Sequence, residues 1–513
     1  MGSGILGRIF LFFSAVYHRL RSLLSPDHRL HQSRFARTDE LRLLLQDTPD
    51  ADGVLLGKGK SGHVVTVVPT QTRRELGNLL IVGPTRSGKG LLATSQLLSW
   101  QHSVIVNDIK GDLFTATAGY RSSLGDVYVL DPTGVGHAFD PLLGKNSEDE
   151  LYSAASHLLF NPREGEGLIF TQRATAMLTQ LFLAARLEKQ APLPYVRHII
   201  RLGLAGAASR LNQVDPALAT QFLDVRFSDV SLSDRFLLSS WGTLTARLRP
   251  LLTETVVRCF THSDFAVQAL LSSDKPVTVY LRWPERDLLA LSPLVRLLWG
   301  ALIDELITSF DTKQGNGCHP VLLLIDEAGR TAIPSLADHA TTVVGRGITL
   351  WLAVQSLSQL ETVYGKARAQ VLRDNMESQI YYRPTDLATA KYLEARLGDT
   401  SAYAHSTTAK EGAETSEGLA ERPIPLLTAQ DILQLTDEEI IGFHRHLPPF
   451  RLTRMDWRTQ PIFAQRRTLP APELPHLPEL SDLPLGNREH VTQELIDPDL
   501  IHNDTEPAAG QLN

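Results

Sequence analysis

Cysteine is almost absent from the 513 residues, since only Cys259 and Cys318 occur and neither sits in a C-x-x-C or metal-ligand spacing. That scarcity excludes a disulfide-stapled scaffold, a zinc module and a dithiol redox pair, and it fits a reducing cytoplasm. A large excess of one charge is also missing: 50 Lys+Arg stand against 57 Asp+Glu, a formal charge of −7. A histone-like coat protein is thereby excluded, and any contact with nucleic acid has to use local basic surfaces. The N-terminal apolar run Ile9–Tyr17, bounded by Arg8 and by His18, Arg19 and Arg21, falls short of the roughly 20 residues a spanning helix needs. It is expected to lie on a membrane surface or on a partner as an amphipathic helix, with a frayed tail as the alternative, and no small-x-small cleavage site follows it to mark a secretory signal.

The composition that remains is ordinary for a soluble globular chain, with 43% hydrophobic and 21% charged residues. A polytopic membrane protein and a wholly disordered chain are excluded, and the length predicts roughly two to four domains with a large core. Beyond residue 75, short β-branched runs alternate with longer helical stretches, the pattern of a mostly parallel sheet covered by helices in an α/β fold. Strands are expected at Leu79–Val82, Ser103–Asn107, Val127–Leu130, Val277–Leu281, Val321–Ile325, Ile348–Val354 and Ser378–Tyr382. Residues 146–270 carry no strand run but do carry helical spacing, as in Phe170, Ala174, Met177, Leu178 and Leu181, and read as an all-helical insertion domain. Within them, residues 183–260 hold ten Lys/Arg and six Asp/Glu, a mild basic excess that suits a nucleic-acid path and a solvated helical surface equally.

Thr400–Arg422 lacks apolar period and reads as a surface loop before the final strand. From Thr468 onward the chain is Pro-rich, then acidic, with nine Asp/Glu and one Arg, which predicts a disordered tail. The expected organisation is an N-terminal segment over 1–75, a nucleotide-binding domain split between 76–145 and 271–466, the helical insertion over 146–270, and the tail over 467–513.

Chemistry enters at Gly83-Pro84-Thr85-Arg86-Ser87-Gly88-Lys89, which follows an apolar strand and opens a helix. Glycines let successive backbone N–H groups converge on phosphate oxygens, the helix N-terminus adds positive potential, and Lys89, expected to face solvent, neutralises the β- and γ-phosphates. Gly90 stands where a Ser or Thr usually binds magnesium. The complementary element is Val321–Ile325 followed by Asp326 and Glu327: Asp326 is the expected Mg2+ residue, acting through the water shell, and Glu327 the residue that polarises the attacking water. Gln355, at the end of the next strand, is expected to sense the γ-phosphate or orient that water, with a satisfied structural glutamine as the alternative. Arg346, just before the same strand, is a candidate arginine finger for a neighbouring subunit's nucleotide, with a plain surface arginine as the alternative. ATP and Mg2+ are the implied cofactors.

At these residues the chain resembles the type IV coupling proteins of conjugation and type IV secretion, the TraG family. The resemblance runs from about Phe35 to Arg466. It includes Ser33–Ala36 with Asp39-Glu40-Leu41, the GPTRSGKG loop with its glycine after the lysine, Asn107–Leu113, Asp140-Pro141-Leu142, Val279-Tyr280-Leu281 through Pro284, Leu294–Leu297, Gln355–Leu360 and Pro425–Thr428. It implies a RecA-like P-loop ATPase, a homo-hexamer at the cytoplasmic face of the bacterial inner membrane, here with peripheral contact only. The ring would hand relaxase-bound single-stranded DNA, or effector proteins, to the components of a type IV secretion channel. Asp108 and Lys110 would lie near the nucleotide or couple it to the central path, or simply form a salt-bridged strand end. Two alternatives are a docking platform that binds nucleotide but hydrolyses little, and a DNA translocase of the segregation or packaging class.

Overall fold

The computed structural model describes residues 32–48, 53–59, 62–70, 75–159, 168–229, 234–330, 333, 335–408 and 416–480. The apolar run Ile9–Tyr17 and the acidic end of the chain beyond 480 lie outside the described residues. Two compact units divide the chain: one comprises 1–129, 266–286 and 303–473, the other 130–265, 287–302 and 474–513.

The first unit is built on a twelve-stranded sheet. Its strands are β1 (Leu45–Gln46), β2 (Val54–Lys58), β3 (Val64–Val67), β4 (Leu79–Val82), β5 (Ser103–Asp108), β6 (Val127–Leu130), β7 (Thr278–Arg282), β8 (Val321–Ile325), β9 (Ile348–Val354), β10 (Ser378–Tyr382), β13 (Glu439–His444) and β14 (Phe450–Thr453). A separate hairpin pairs β11 (Asp399–Thr408) with β12 (Ser416–Pro425). The sheet order is β1-β3-β2-β14-β13-β10-β4-β9-β8-β5-β7-β6. From β10 to β7 every pairing is parallel, whereas β10, β13, β14, β2, β3 and β1 pair antiparallel. The parallel strands β4, β5, β8, β9 and β10 are buried along their whole length, as strands covered on both faces must be.

Buried polar side chains hold this sheet in register. Asn78, just ahead of β4, donates to the Ala340 and Asn375 carbonyls and accepts from the Leu350 amide at 3.0 Å. Gln96, on the buried face of helix Lys89–Ser99, accepts from the Leu55 amide at 2.8 Å and donates to the Gly53 carbonyl at 2.9 Å, tying β2 to the helix after β4. Arg121 is 1% exposed; it donates to Thr278 Oγ1 and to the carbonyls of Trp100 and His102. Burial lowers its pKa to about 10, so it stays charged at neutral pH.

In the second unit the described residues form helices, with Leu168–Leu187 at the centre packed against Glu148–Leu159, Pro192–Arg201, Pro216–Leu223 and Arg235–Leu248. Ala174, Met177, Leu178, Leu181 and Phe182 of the central helix are wholly buried, the i, i+3, i+4 stripe that an amphipathic helix turns inward. The bounds of this unit differ from 146–270: it runs from 130 to 265 and adds 287–302 and 474–513, while 266–270 belong to the first unit. Asp140 belongs to it and is buried, accepting from the Leu142 amide at 3.0 Å and pairing with Arg186; burial raises its pKa.

Two expectations are corrected. Within Thr400–Arg422 the described residues, 400–408 and 416–422, are not loop but strands of the hairpin, paired from Asp399↔Pro425 to Thr408↔Ser416. Antiparallel backbone pairing does not require an apolar period, so a search for that period misses it. The tail does not start at 467 as disordered chain. Leu469 and Pro470 lie so close to Gly119 that a Cβ there would collide with their carbonyls. In the second unit Gly136 donates to the Pro475 carbonyl, Leu477 donates to the Gly134 carbonyl, and Leu477 and Leu480 are buried. A Pro-rich strand that cannot fold alone can still be held by a folded surface.

Candidate nucleotide-binding site

The site forms where β4, β8 and β9 end together. Gly83 donates to the Val354 carbonyl at 3.1 Å, and a Cβ there would meet Ser87 Oγ at 2.7 Å and Tyr382 Cβ at 2.8 Å. The loop then turns through Gly88 at φ 111° into the helix Lys89–Ser99. Such a backbone favours glycine, and it aims free helix N–H groups at the cleft. Lys89 does not face solvent as expected. It is 6% exposed and donates to the carbonyls of Gly83 at 2.5 Å and Pro84 at 2.9 Å. Burial lowers its pKa, opposed by the charges of Glu327 and Asp326.

β8 delivers the two carboxylates. Asn107 at the end of β5 donates to the Asp326 carbonyl at 2.9 Å, and the Glu327 amide donates to Asp326 Oδ1 at 3.0 Å. Burial raises the Asp326 pKa to about 6, with the Glu327 charge adding to it and Lys89 opposing. Glu327 adopts φ 56°, a left-handed conformation costly for a residue with a side chain. It is held there because Ala328 donates to the Ala353 carbonyl of β9.

Because β9 is inserted between β4 and β8, the residue after it lies between the phosphate loop and the acids. That residue is Gln355, whose Nε2 donates to Glu327 Oε2 at 2.9 Å. Its own amide donates to Gln359 Oε1, while the Gln359 amide donates to Ser356 Oγ. The stretch Gln355–Leu360 is thus a self-capped strand-to-helix turn that aims one amide at Glu327.

A cleft of about 590 Å³ opens over these residues, lined by Thr85, Arg86, Gly88, Lys89, Gly90, Asp326 and Glu327 among others, a size that suits a small-molecule ligand. Asp108 and Lys110 also line it. The Asp108 carboxylate accepts from the Leu113 and Phe114 amides at 3.3 and 2.7 Å, capping the helix Asp112–Leu124, and its pKa is raised by burial. Pro84 and Ser87 face a smaller recess with Tyr382 and Arg383. Arg346 is not brought to this cleft within the chain. It precedes β9, roughly 20 Å away at about 3.3 Å per strand residue, and its guanidinium grips Asp311 at 2.7 and 2.8 Å.

A divalent ion fits what is present. A Cβ at Gly90 would meet nothing within 4 Å, which leaves room for water where a hydroxyl usually stands. Among the described residues no group of three His, Cys, Asp or Glu forms a metal cage; Mg2+ is ordinarily held by one or two carboxylates, phosphates and water. Among the lining residues the sequence reading missed are Arg454, Trp457, Arg458 and Arg467. They follow β14, and their only sequence signal is an aromatic amid arginines.

Strand, phosphate loop, helix, inserted strand and paired acids define a P-loop NTPase fold. The chain belongs to the type IV secretory system conjugative DNA transfer family, whose model matches residues 46–476. It is 27% identical over 412 residues to a VirD4 protein of Rhizobium radiobacter, covering 75% of this chain and 58% of that protein. It is 27% identical over 477 residues to VirD4 of Agrobacterium fabrum, covering 86% and 69%, and 26% identical over 452 residues to the conjugal transfer protein TraG of Escherichia coli, covering 77% and 70%. Among solved structures it resembles the bacterial conjugative coupling protein TrwBdeltaN70 in an unbound form, with TM-score 0.60 and 18% identity over 82% of this chain and 92% of that one. TrwB in complex with the non-hydrolysable ATP analogue ADPNP gives TM-score 0.59 at 18% identity, over 82% and 93%.

Proposed function

We propose that the chain is an ATP-hydrolysing coupling protein that delivers relaxase-bound single-stranded DNA, effector proteins or both to a type IV secretion channel. The observation that carries this reading is the bond from Gln355 to Glu327 beside the Lys89 loop, which orients a carboxylate next to a phosphate site. Family membership and the TrwB complexes with ADPNP and with ADP and Mg2+ support it.

In this reading the loop Gly83–Gly88 wraps the phosphates with backbone N–H groups. Lys89 exchanges the Gly83 and Pro84 carbonyls for the β- and γ-phosphate oxygens. Asp326 would hold Mg2+, which would supply charge neutralisation at the phosphates. Glu327 accepts a proton from the attacking water, and Gln355 holds Glu327 in place. Arg346 of a neighbouring subunit serves as the finger in a homo-hexamer. The sheet unit that carries the cleft is the motor in this reading. The ring works at the cytoplasmic face of the inner membrane; among the described residues no helix is long and apolar enough to cross it. Gly90 favours a second reading, a platform that binds nucleotide and hydrolyses little.

A turnover assay with MgATP, with and without single-stranded DNA, separates the two. The motor loses turnover in Glu327→Gln while keeping ATP bound; the platform gives no turnover for DNA or Glu327→Gln to change. Transfer or secretion by a deletion strain complemented with wild type or Lys89→Ala then tests the delivery role.

A further inference from the structure

The cleft has a wall that the phosphate-loop argument does not use. After β14 the chain runs from Arg454 through the short turn Trp457–Thr459 and the helix Pro461–Arg467. Four of its residues line the cleft, Arg454, Trp457, Arg458 and Arg467, and the charge of Arg454 acts on the Asp456 carboxylate. Arg458 is held directly by Asp456, at 2.6 Å.

We propose that this segment clamps the nucleotide within its own subunit, Arg454 binding the phosphates and Trp457 carrying the base. The proposal rests on the nucleotide reading of the cleft.

Position supports the phosphate half. The Arg454 side chain lies so close over Gly88 that a Cβ there would collide with Arg454 Cδ. Its guanidinium is therefore stationed at the turn whose N–H groups face phosphate, drawn by charge toward Asp456, which grips Arg458 at 2.6 Å. A planar, permanently charged fork suits phosphate oxygens.

Trp457 supplies the base half. Its indole is partly exposed at the cleft, and Arg467 places a guanidinium 4.6 Å from the ring centroid. A ring backed by a cation on one face can still stack a flat base on the other. Six Lys/Arg against four Asp/Glu line the cleft, a balance that favours an anionic ligand.

The wall is anchored rather than loose. Met455 and Phe463 are wholly buried, the Arg454 amide donates to the Glu438 carbonyl, and Lys58 donates to Thr459 Oγ1 at 2.6 Å. At the far end Arg466 donates to the Leu98 carbonyl at 2.6 Å and stacks over Tyr120. Both side chains are thus pre-positioned, which spares ordering cost on binding.

Titration of the full chain with MgATP and with magnesium tripolyphosphate tests each half. Arg454→Ala should weaken both ligands about tenfold, and Arg454→Lys should recover part of the loss. Trp457→Ala should weaken MgATP about tenfold and leave tripolyphosphate unchanged, with Trp457→Phe near wild type. Circular dichroism and melting of each variant certify the fold. Wild-type affinity for MgATP in folded Arg454→Ala or Trp457→Ala overturns the corresponding half. If Lys89→Ala also leaves wild-type binding unaltered, the nucleotide reading itself is wrong; if Lys89→Ala alone weakens it, only the clamp is.

Discussion

Gln355 and Glu327 share one hydrogen bond of 2.9 Å, and through it the end of β9 fixes the acid at the end of β8. A glutamine that only packed would not spend its amide on a carboxylate whose backbone is already in a left-handed conformation. Gln355→Ala should therefore cut turnover about 10- to 100-fold while changing nucleotide affinity less than threefold. Steady-state turnover beside equilibrium nucleotide binding checks it; equal losses in both would assign Gln355 to binding.

Lys89→Ala removes more than a phosphate ligand. Its Nζ satisfies the Gly83 and Pro84 carbonyls, so the variant should lose turnover entirely and also fall about 1–2 kcal/mol in stability. Urea unfolding in the absence of nucleotide measures the second effect.

Asp326 gives a pH test. Its carboxyl titrates near 6 when folded and near 3.9 in an unfolded chain. A raised acid pKa means the folded state holds the proton more tightly, so its penalty is absent below about pH 4, grows between pH 4 and 6, and is complete at pH 7. In metal-free protein Asp326→Asn should be more stable by about 2 kcal/mol at pH 7.5, after discounting for solvent in the cleft. Melting in chelator at pH 7.5 and 5 should show that advantage shrinking as pH falls, while Mg2+-dependent turnover is lost at both.

Arg346 and Asp311 are partners on an exposed surface, where an ion pair contributes about 0–1 kcal/mol. If Arg346 acts across a subunit boundary, Arg346→Ala should lower turnover at least tenfold in the assembled state and Asp311→Ala should not. Turnover measured across a protein dilution series decides; matching effects would confine both residues to the surface pair.

Arg121→Met should unfold the protein more readily by about 3 kcal/mol, since it strands the Trp100 and His102 carbonyls and Thr278 Oγ1 inside the sheet domain. Chemical denaturation reads this directly.

Runs such as Leu79–Val82 and Val321–Ile325 were legible as strands because a parallel sheet buried on both faces demands unbroken apolar residues. β2 and β3 are not legible, since they lie ahead of the alternating strand and helix pattern and pair antiparallel. Loop and acids were legible because phosphate chemistry fixes both residue type and spacing. Arg454 and Trp457 were not: their approach to Gly88 and the cleft depends on tertiary packing of chain hundreds of residues further on. The burial of Lys89 is not legible, since nothing in the sequence says that its amine meets the Gly83 and Pro84 carbonyls.

The sheet order has a consequence for birth of the protein on the ribosome. β4 carries the phosphate loop, yet both its neighbours, β9 and β10, lie far downstream, the later ending at Tyr382. At about 5–20 residues per second, synthesis leaves β4 without either flank for roughly 15–60 s after it emerges. During that interval an apolar strand with open backbone edges must be shielded, while most of the helical unit, contiguous over 130–265, already has the chain it needs. Slow codons or chaperone binding placed between β8 and β10 would thus govern the yield of active protein more strongly than the same delay placed after β14.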